Sequence, residues 1–265
     1  MKKNNSIVTL LTDFGTEDGY VGAIKGILQG SDQDMTIIDI THNIEPYNIR
    51  QVAFSLINYA FYFPPGTIHL AVVDPGVGSN RECLILQTDD YYFVGPNNGV
   101  FSYILRETSY EAFQIKEESF GSRVSSTFHG RDIFAPAIVR IIQGDKLSDF
   151  TRKIDHLTSF YEYFEDMGDD EYRLKVIHVD HFGNLVVNFT ISDWKSLGSP
   201  SNIRAQINHS FIYGIKRTFS DVEWNQLLLT WDSRGFLQIA QNGGNAARLL
   251  NMKAGDHIIL RASHT

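Results

Sequence analysis

The chain has 265 residues, of which 43% are hydrophobic and 20% are charged, a composition typical of a globular protein with one large or two smaller cores. The 31 acidic side chains outnumber the 23 Lys and Arg, giving a formal charge of -8 that argues against a nucleic-acid partner, because binding to phosphates needs clustered positive charge. The single cysteine, Cys83, excludes an intrachain disulfide, and its apolar neighbours predict a buried thiol.

The first 150 residues alternate between strand and helix patterns. In chain order, the pattern predicts a strand over 7–11, a helix over 18–29, a strand over 36–40, a helix over 48–60, strands over 68–73 and 91–94, and a helix over 134–142. Strands joined by crossover helices predict a mostly parallel sheet with helices on both faces. No apolar run is long enough to span a membrane, and the first residues do not resemble a signal peptide, so we expect a cytoplasmic protein with no membrane partner.

The periodicity changes in the last third of the chain. Residues 161–172 are strongly acidic and predict a solvated linker. Beyond them, the pattern predicts short strands over 174–179, 185–189, 227–231, 236–240 and 257–260, with one helix over 245–251. Closely spaced short strands favour a small β barrel or sandwich. We therefore predict an α/β domain over 1–160, an acidic linker over 161–172 and a smaller, barrel-like all-β domain over 173–265.

Polar residues follow the strand predicted over 68–73. Asp74 stands at its end, a turn rich in Pro and Gly comes next, and Arg81 follows seven residues after the acid. A second polar stretch, at 128–132, places His129 before another apolar segment. Ligands of open α/β sheets bind beyond the carboxyl ends of the strands. Asp74, Arg81 and His129 are therefore candidates for one polar site.

Asp13 stands at the end of the first predicted strand. Capping of the next helix by Thr16 or Asp18 is the structural alternative, but it accounts for one acid only. A carboxylate at Asp13 is suited to accept hydrogen bonds from two ribose hydroxyls. Neither a complete dinucleotide fingerprint nor a Walker-type lysine loop is present, so a nucleoside fits this site better than a nucleotide.

Three polar turns in the C-terminal part remain ambiguous at this stage. Asp180 and Asn184 bracket a turn in which local backbone hydrogen bonds are as plausible as a ligand role. The turns at 233–235 and 242–245 are similarly open to both interpretations. His178 and His181 do not predict a metal site, because on a strand they point to opposite faces.

Five motifs in one order carry a resemblance to a known family. They are residues 12–15 (TDFG), 73–78 (VDPGVG), 95–99 (GPNNG), 128–132 (FHGRD) and 180–184 (DHFGN). Together they make the chain similar to the S-adenosylmethionine hydroxide adenosyltransferases, which are relatives of the fluorinating and chlorinating enzymes. The resemblance implies hydrolysis of S-adenosylmethionine to adenosine and methionine. It also implies no cofactor and no metal, with S-adenosylmethionine as the substrate.

The resemblance assigns roles to individual residues. Asp74, Arg81 and His129 match a polar triad that holds and activates water and that halogenating relatives lack. The implied substrate-binding residues are Asp13 at the ribose, Tyr47, Asn184 and Phe219 at the adenine, Asp18, Asp180 and Ser233 at the methionine end, and also Arg234 and Gly243. The family assembles as trimers with sites at subunit interfaces, which implies a homotrimer here.

Alternatives of other functional classes are a halide-dependent synthase of a 5′-halo-nucleoside and an adenosine-binding sensor without turnover. The complete triad argues against the synthase, whereas Arg234 and Gln241 are departures that concern the methionine end. His129 is a candidate general base. The other possibility is that Arg81 and Asp74 bind the water and that a hydroxide-like species forms without His129 as the final proton acceptor.

Overall fold

The computed structural model describes residues 6–121, 124–208 and 210–264. The chain divides into two compact units, one ending at Phe160 and the other beginning at Tyr161. Within the described ranges, no helix is both long and apolar enough to cross a lipid bilayer.

The first unit is a seven-stranded sheet with helices. Its strands are β1 (Ile7–Thr12), β2 (Thr36–Thr41), β3 (Ile68–Val72), β4 (Cys83–Gln87), β5 (Tyr92–Pro96), β6 (Glu111–Ile115) and β7 (Thr151–Ile154). Its α-helices are α1 (Tyr20–Ser31), α2 (Ile49–Tyr59), α3 (Ile104–Glu107) and α4 (Ala135–Gln143). The order in the sheet is β2-β1-β3-β5-β4-β6-β7.

The sheet is mostly parallel, as the alternating pattern predicts. Strands β2, β1, β3, β5 and β6 run in one direction, while β4 and β7 run against them. The antiparallel strands were not part of the prediction. The direction of β4 follows from the short turn that joins it to β5, which permits only an antiparallel hairpin.

The predicted helices α1, α2 and α4 are present, with shifted ends. Helix α2 begins one residue later than predicted because the side chain of Asn48 accepts a hydrogen bond from the Gln51 amide at 2.9 Å and so caps it. Neither Thr16 nor Asp18 caps α1, whose N-cap is Gly19 without a side-chain bond. The structural alternative, in which Thr16 or Asp18 caps helix α1, is therefore wrong.

The buried histidine His69 lies on the sheet face packed with aromatic rings. Its Nδ1 lies 2.8 Å from Thr9 Oγ1, and its ring stacks on Phe93 with centroids 5.1 Å apart. The side chain is 0% exposed, and burial lowers the pKa of His69 to about 3. The fold therefore holds this imidazole neutral at pH values where an unfolded chain would protonate it.

We expect the stability to fall on acidification because of His69. The pKa is lower in the folded state than in the unfolded state, where it is about 6.5. The contribution is therefore complete above that pH and is lost as the pH falls toward the folded value. One group shifted in this way costs about 2 kcal/mol of unfolding free energy between about pH 6.5 and about pH 5. Urea unfolding at both pH values measures it.

His69→Phe keeps an aromatic ring and removes the titration, so its stability should depend less on pH than that of the wild type. His156→Gln serves as the control, because the His156 side chain is 79% exposed. Equal pH dependence in wild type and His69→Phe would contradict the assignment.

The second unit is built almost entirely of strands. They are β8 (Glu165–Gly168), β9 (Glu171–Val179), β10 (Leu185–Thr190), β11 (Asn202–Ile207), β12 (Ser210–Tyr213), β13 (Ile215–Lys216), β14 (Leu227–Trp231), β15 (Phe236–Gln241) and β16 (His257–Ser263), with helices α5 (Ile191–Ser196) and α6 (Ala246–Leu250). The order is β12-β11-β16-β9-β10-β15-β14-β13, with β8 paired to β9. Strand β12 also contacts β14, so the sheet is a nearly closed barrel. The barrel prediction is confirmed.

Several elements of this unit were not predicted. The acidic stretch 161–172 holds β8 and the start of β9, joined by Asp169 and Asp170, which both have positive φ (52° and 60°). Regular structure therefore occupies part of the predicted linker, and two of its acids form a hairpin turn. Helix α5 was also missed, although Thr190 and Asp193 form a capping box at its start.

Candidate active site

A cavity of about 540 Å³ lies in the first unit. It opens where the neighbouring parallel strands β1 and β3 end, which is the position expected for a ligand in an α/β sheet. Four of the predicted site residues line it: Asp13, Tyr47, Asp74 and His129. The sequence places these residues far apart, and the fold brings them to one cavity.

Asp74 and Arg81 form a buried ion pair beside this cavity. Arg81 Nε lies 2.9 Å from each carboxylate oxygen, and Nη2 also donates to Asp74. The two side chains are only 5% and 9% exposed, so water screens their attraction weakly. Burial is the largest single influence on the pKa of Arg81 and lowers it, but the hydrogen bonds and charges of Asp74 and Cys83 together outweigh burial, so the pKa is raised.

The turn between Asp74 and Arg81 needs glycine. Gly78 has φ of 76°, and a Cβ at this position would clash with the carbonyl oxygen of Ser126. Only glycine satisfies both the left-handed backbone and the close approach of a second chain segment. The loop therefore folds back tightly enough for Arg81 to reach Asp74.

His129 completes the contact group from a different part of the chain. It immediately precedes a single π-helical turn, Gly130–Phe134, that leads into α4. Its Nδ1 lies 2.8 Å from Arg81 Nη2. Because arginine only donates hydrogen bonds, Nδ1 is the acceptor, which assigns the proton of the neutral ring to Nε2. Burial and the neighbouring Arg81 charge lower the pKa of His129.

A second layer lies behind the triad. Arg81 Nη1 donates to the Sγ of Cys83 at 2.9 Å, and the thiol lies 3.7 Å from Glu117 Oε1. Cys83, Glu117 and His129 each offer one ligand atom, and these atoms lie within 4.8 Å of one another. The Arg81 guanidinium, itself a cation, already contacts two of these three atoms, the Cys83 sulfur and the His129 Nδ1.

Asp13 and Tyr47 are joined on the other side of the cavity. The Tyr47 amide donates to Asp13 Oδ2 at 2.9 Å, and Tyr47 has a left-handed backbone with φ of 68°. Tyr47 is 71% exposed and lies at the open edge of the cavity. Partial burial raises the pKa of Asp13, against the lowering effect of the Tyr47 amide.

Asp18 is not among the residues that line this cavity. It is exposed in the turn before α1. Its proposed role at the methionine end stays a prediction.

The remaining predicted residues belong to the second unit. Asp180 accepts hydrogen bonds from the amides of Phe182 (2.9 Å) and Asn184 (2.8 Å), and from Asn184 Nδ2 (2.8 Å). Local backbone bonding thus accounts for the conformation of this turn, as the structural alternative supposed. The ligand roles of Asp180 and Asn184 stay predictions.

Two other predicted turns lie at opposite ends of β15. Ser233 and Arg234 precede the strand, in a turn held by Asp232, whose carboxylate accepts from the amides of Arg234 and Phe236 at 2.8 Å. Gly243 follows the strand, on the side of the 180–184 turn, whose Gly183 carbonyl accepts from the Ala247 amide. Phe219 lies in a short 3-10 turn and is 41% exposed. The barrel therefore groups Gly243 with Asn184 and keeps Ser233 away from them.

Sequence reasoning missed an aromatic wall of the cavity. Phe14, Tyr20 and Phe128 contact one another, with ring centroids 5.1 to 6.0 Å apart, and all three line the cavity. Phe14 and Phe128 are direct sequence neighbours of Asp13 and His129, and this adjacency is the feature of the sequence that could have indicated the wall. This wall supplies the apolar surface that is typical of small-molecule sites.

Comparison with known proteins gives matches over nearly the whole chain. Residues 8–151 match the SAM hydroxide adenosyltransferase N-terminal domain, and residues 174–259 match the C-terminal domain of the same family. A (R)-S-adenosyl-L-methionine hydrolase of Methanocaldococcus jannaschii is 36% identical, over 95% of this chain and 94% of that protein. A fluorinase of Nocardia brasiliensis is 24% identical, over 94% of each chain.

A solved structure agrees with these matches. The crystal structure of an uncharacterized conserved protein from Thermotoga maritima superposes with a TM-score of 0.86 at 33% identity, covering 96% of this chain and 99% of that one. The matches to both domains of the family, the 36% identity over almost the whole chain and this superposition agree with the five motifs. The chain belongs to the SAM hydroxide adenosyltransferase family.

Proposed function

We propose that this protein hydrolyses S-adenosyl-L-methionine, with water attacking C5′ of the ribose, to give adenosine and L-methionine. The observation that carries the proposal is the contact group of Asp74, Arg81 and His129 at the cavity that also holds Asp13 and Tyr47. The similarity to the (R)-S-adenosyl-L-methionine hydrolase of Methanocaldococcus jannaschii supports the substrate.

The proposed reaction is a displacement at carbon. The C5′–O bond forms, the C5′–S bond breaks, and its electron pair goes to the sulfonium sulfur, which leaves as the neutral thioether of methionine. The attacking water loses one proton. Because the positive charge on sulfur disappears along the reaction, an apolar wall such as Phe14, Tyr20 and Phe128 favours the transition state over the bound substrate.

The hydrogen-bond pattern favours a donor role for His129. Its Nδ1 accepts from Arg81, so the neutral ring has its proton on Nε2 and has no lone pair left for a water proton. We therefore assign His129 and Arg81 to holding the attacking oxygen, with the Asp74 carboxylate fixing the guanidinium. The proton then leaves to solvent without residing on His129.

Incubation with S-adenosylmethionine in oxygen-18 water tests the proposal directly. We expect one heavy oxygen in the adenosine and none in the methionine, without dependence on chloride or fluoride. The relative's name specifies the (R) form, so the two sulfur epimers are assayed separately and the (R) epimer is expected to react faster. A halogenated nucleoside would support the synthase alternative, and binding without turnover would support the sensor.

Asp13→Asn is expected to weaken adenosine binding. A carboxylate that accepts hydrogen bonds from both ribose hydroxyls loses a charge-assisted bond, which corresponds to a rise in Kd of roughly 10- to 100-fold. The amide oxygen of the variant still accepts from the Tyr47 amide, so the loop is preserved.

Calorimetry with adenosine and 2′-deoxyadenosine separates this contact from general damage. Wild type should discriminate strongly between the two nucleosides, and Asp13→Asn should discriminate weakly. Unchanged discrimination in the variant would remove Asp13 from the ribose.

We also propose that the chain forms a homotrimer in which the second unit of a neighbouring copy completes each site. In support, the residues predicted at the adenine and methionine are divided between the units, and Phe182 and Trp224 in the second unit are 73% and 70% exposed. Light scattering after size exclusion is expected to give three times the chain mass. A monomer that is fully active would contradict the proposal. The cytoplasmic location stays a prediction.

A further inference from the structure

We propose that Cys83 and Glu117 are positioning residues that hold the Arg81 guanidinium against Asp74 and His129. This inference rests on the proposed hydrolysis and extends it to a layer that does not line the substrate cavity. It gives the single cysteine of the chain a role other than packing.

The hydrogen bonds of Arg81 point to this role. Nε and Nη2 bind Asp74, Nη2 also contacts His129, and Nη1 donates to the Cys83 sulfur at 2.9 Å. Cys83 is therefore the contact that fixes the third nitrogen of the guanidinium. A planar group held at all three nitrogens cannot rotate about its Cζ without breaking one of these bonds.

A second cavity makes such a restraint necessary. It has a volume of about 290 Å³ and is lined on one side by Arg81 and on others by Lys116, Glu117, Glu118 and Arg152. Because Arg81 lines this cavity, loss of the acceptor at position 83 would leave Nη1 to water and to the carboxylates of Glu117 and Glu118. Loss of the sulfur contact would thus free Arg81 to turn away from the attacking oxygen.

Glu117 fixes the orientation of the thiol. Burial raises the pKa of the Cys83 thiol to about 12, so the sulfur keeps its proton. The sulfur lies 3.7 Å from both Glu117 Oε1 and His129 Nδ1. Because Nδ1 already accepts from Arg81, the S–H is suited to donate to Glu117, which leaves the sulfur lone pairs for Arg81. The same three residues do not call for a metal, because the Arg81 cation already contacts the sulfur and the His129 Nδ1.

The test compares Cys83→Ala and Cys83→Ser with Ile85→Val. Ile85 lies on the same strand and in the same buried cluster, so its loss of one methyl group controls for packing. We expect Cys83→Ala to lower kcat by about tenfold or more, since hydrogen bonds to charged groups are worth that much, with KM for S-adenosylmethionine within about twofold. Cys83→Ser retains an acceptor and should recover most of the rate, and Ile85→Val should match wild type.

A structural readout is measured in parallel and does not depend on turnover. Nitrogen-15 NMR of the arginine side chains should contain slowly exchanging Arg81 Nη signals, assigned by their loss in Arg81→Lys. These signals should broaden in Cys83→Ala and persist in Cys83→Ser and Ile85→Val. Glu117→Ala should broaden them as well, whereas Glu117→Gln, which still offers an oxygen to the thiol, should not.

The pH profile reports the charge of Glu117 separately from its part in orienting the thiol. The charged and titratable groups around His129 are Arg81, Glu117, Asp74, Asp132 and the Cys83 thiol, and the Glu117 charge raises the pKa of His129. Glu117→Gln should therefore move the acidic limb of kcat to lower pH.

The outcomes are distinguishable. Normal adenosine release with unchanged kcat and unchanged Arg81 signals in folded Cys83→Ala overturns the positioning role. Absence of adenosine release by wild type, with Arg81 signals that respond to Cys83→Ala, overturns the hydrolysis and leaves the positioning of Arg81 supported.

Discussion

Replacing Asp74 by asparagine is expected to lower kcat by about a thousandfold, the upper range for removal of one preorganised electrostatic contact at a reacting centre. The variant keeps the shape of the side chain, but it removes the negative charge that faces Arg81 Nε and Nη2. The guanidinium then loses its fixed counter-charge and its alignment with His129. Single-turnover measurement of adenosine formation gives the rate of the chemical step.

Adenosine binding by Asp74→Asn should remain within about twofold of wild type, since the riboside is assigned to Asp13 and Tyr47 and uniform binding is separable from catalysis. Asp145→Asn is the matched control, because Asp145 pairs with Arg140 on the surface of α4 and has no contact with the cavity. A large loss of adenosine affinity in Asp74→Asn, with turnover retained, would make Asp74 a binding residue and exclude it from water activation.

Replacing Arg81 by methionine is expected to destabilise the first unit by about 3–5 kcal/mol, the usual cost of leaving one partner of a buried ion pair uncompensated. The Asp74 side chain is only 5% exposed and meets solvent only at the cavity, so the carboxylate that remains is poorly hydrated. Urea unfolding followed by far-UV circular dichroism measures the loss. Tryptophan fluorescence does not serve, because Trp194, Trp224 and Trp231 all lie in the second unit.

The double variant Asp74→Asn/Arg81→Met should recover a large part of this stability, since it removes the buried charge along with its partner. Lys153→Met, which breaks an exposed pair with Glu111, should leave the unfolding free energy unchanged. If Arg81→Met were as stable as Lys153→Met, the Asp74–Arg81 pair would have to be open to solvent, in conflict with its burial.

Much of the first unit followed from local patterns. Strands such as Ile68–Val72 are buried throughout, with His69 as the one polar side chain among apolar ones, because both faces of the sheet are covered. Helix α1 carries Val21, Ile24 and Leu28 on one buried face. The same reasoning placed Asp74 at the end of a strand. It did not reveal the direction of β4, which depends on the hairpin to β5, nor β8, whose exposed acidic residues lack a buried face.

The candidate site, too, could be predicted from the sequence only in part. Asp13, Asp74 and His129 were identified as residue types at the right kind of position, since strand ends and polar turns are visible in the sequence. The link between them was not visible. Arg81 and His129 are 48 positions apart, and the 2.8 Å contact between them exists only because Gly78 lets the loop turn beside Ser126.

The sequence by itself determined which segments are buried and what chemistry their ends can offer, because burial is recorded in the spacing of apolar residues along a few turns of chain. The tertiary structure alone decided which nitrogen of His129 accepts from Arg81, and that Cys83 lies behind the guanidinium. Hydrogen bonds between distant residues depend on the three-dimensional path of the backbone to within a few tenths of an ångström, and no local periodicity carries that information.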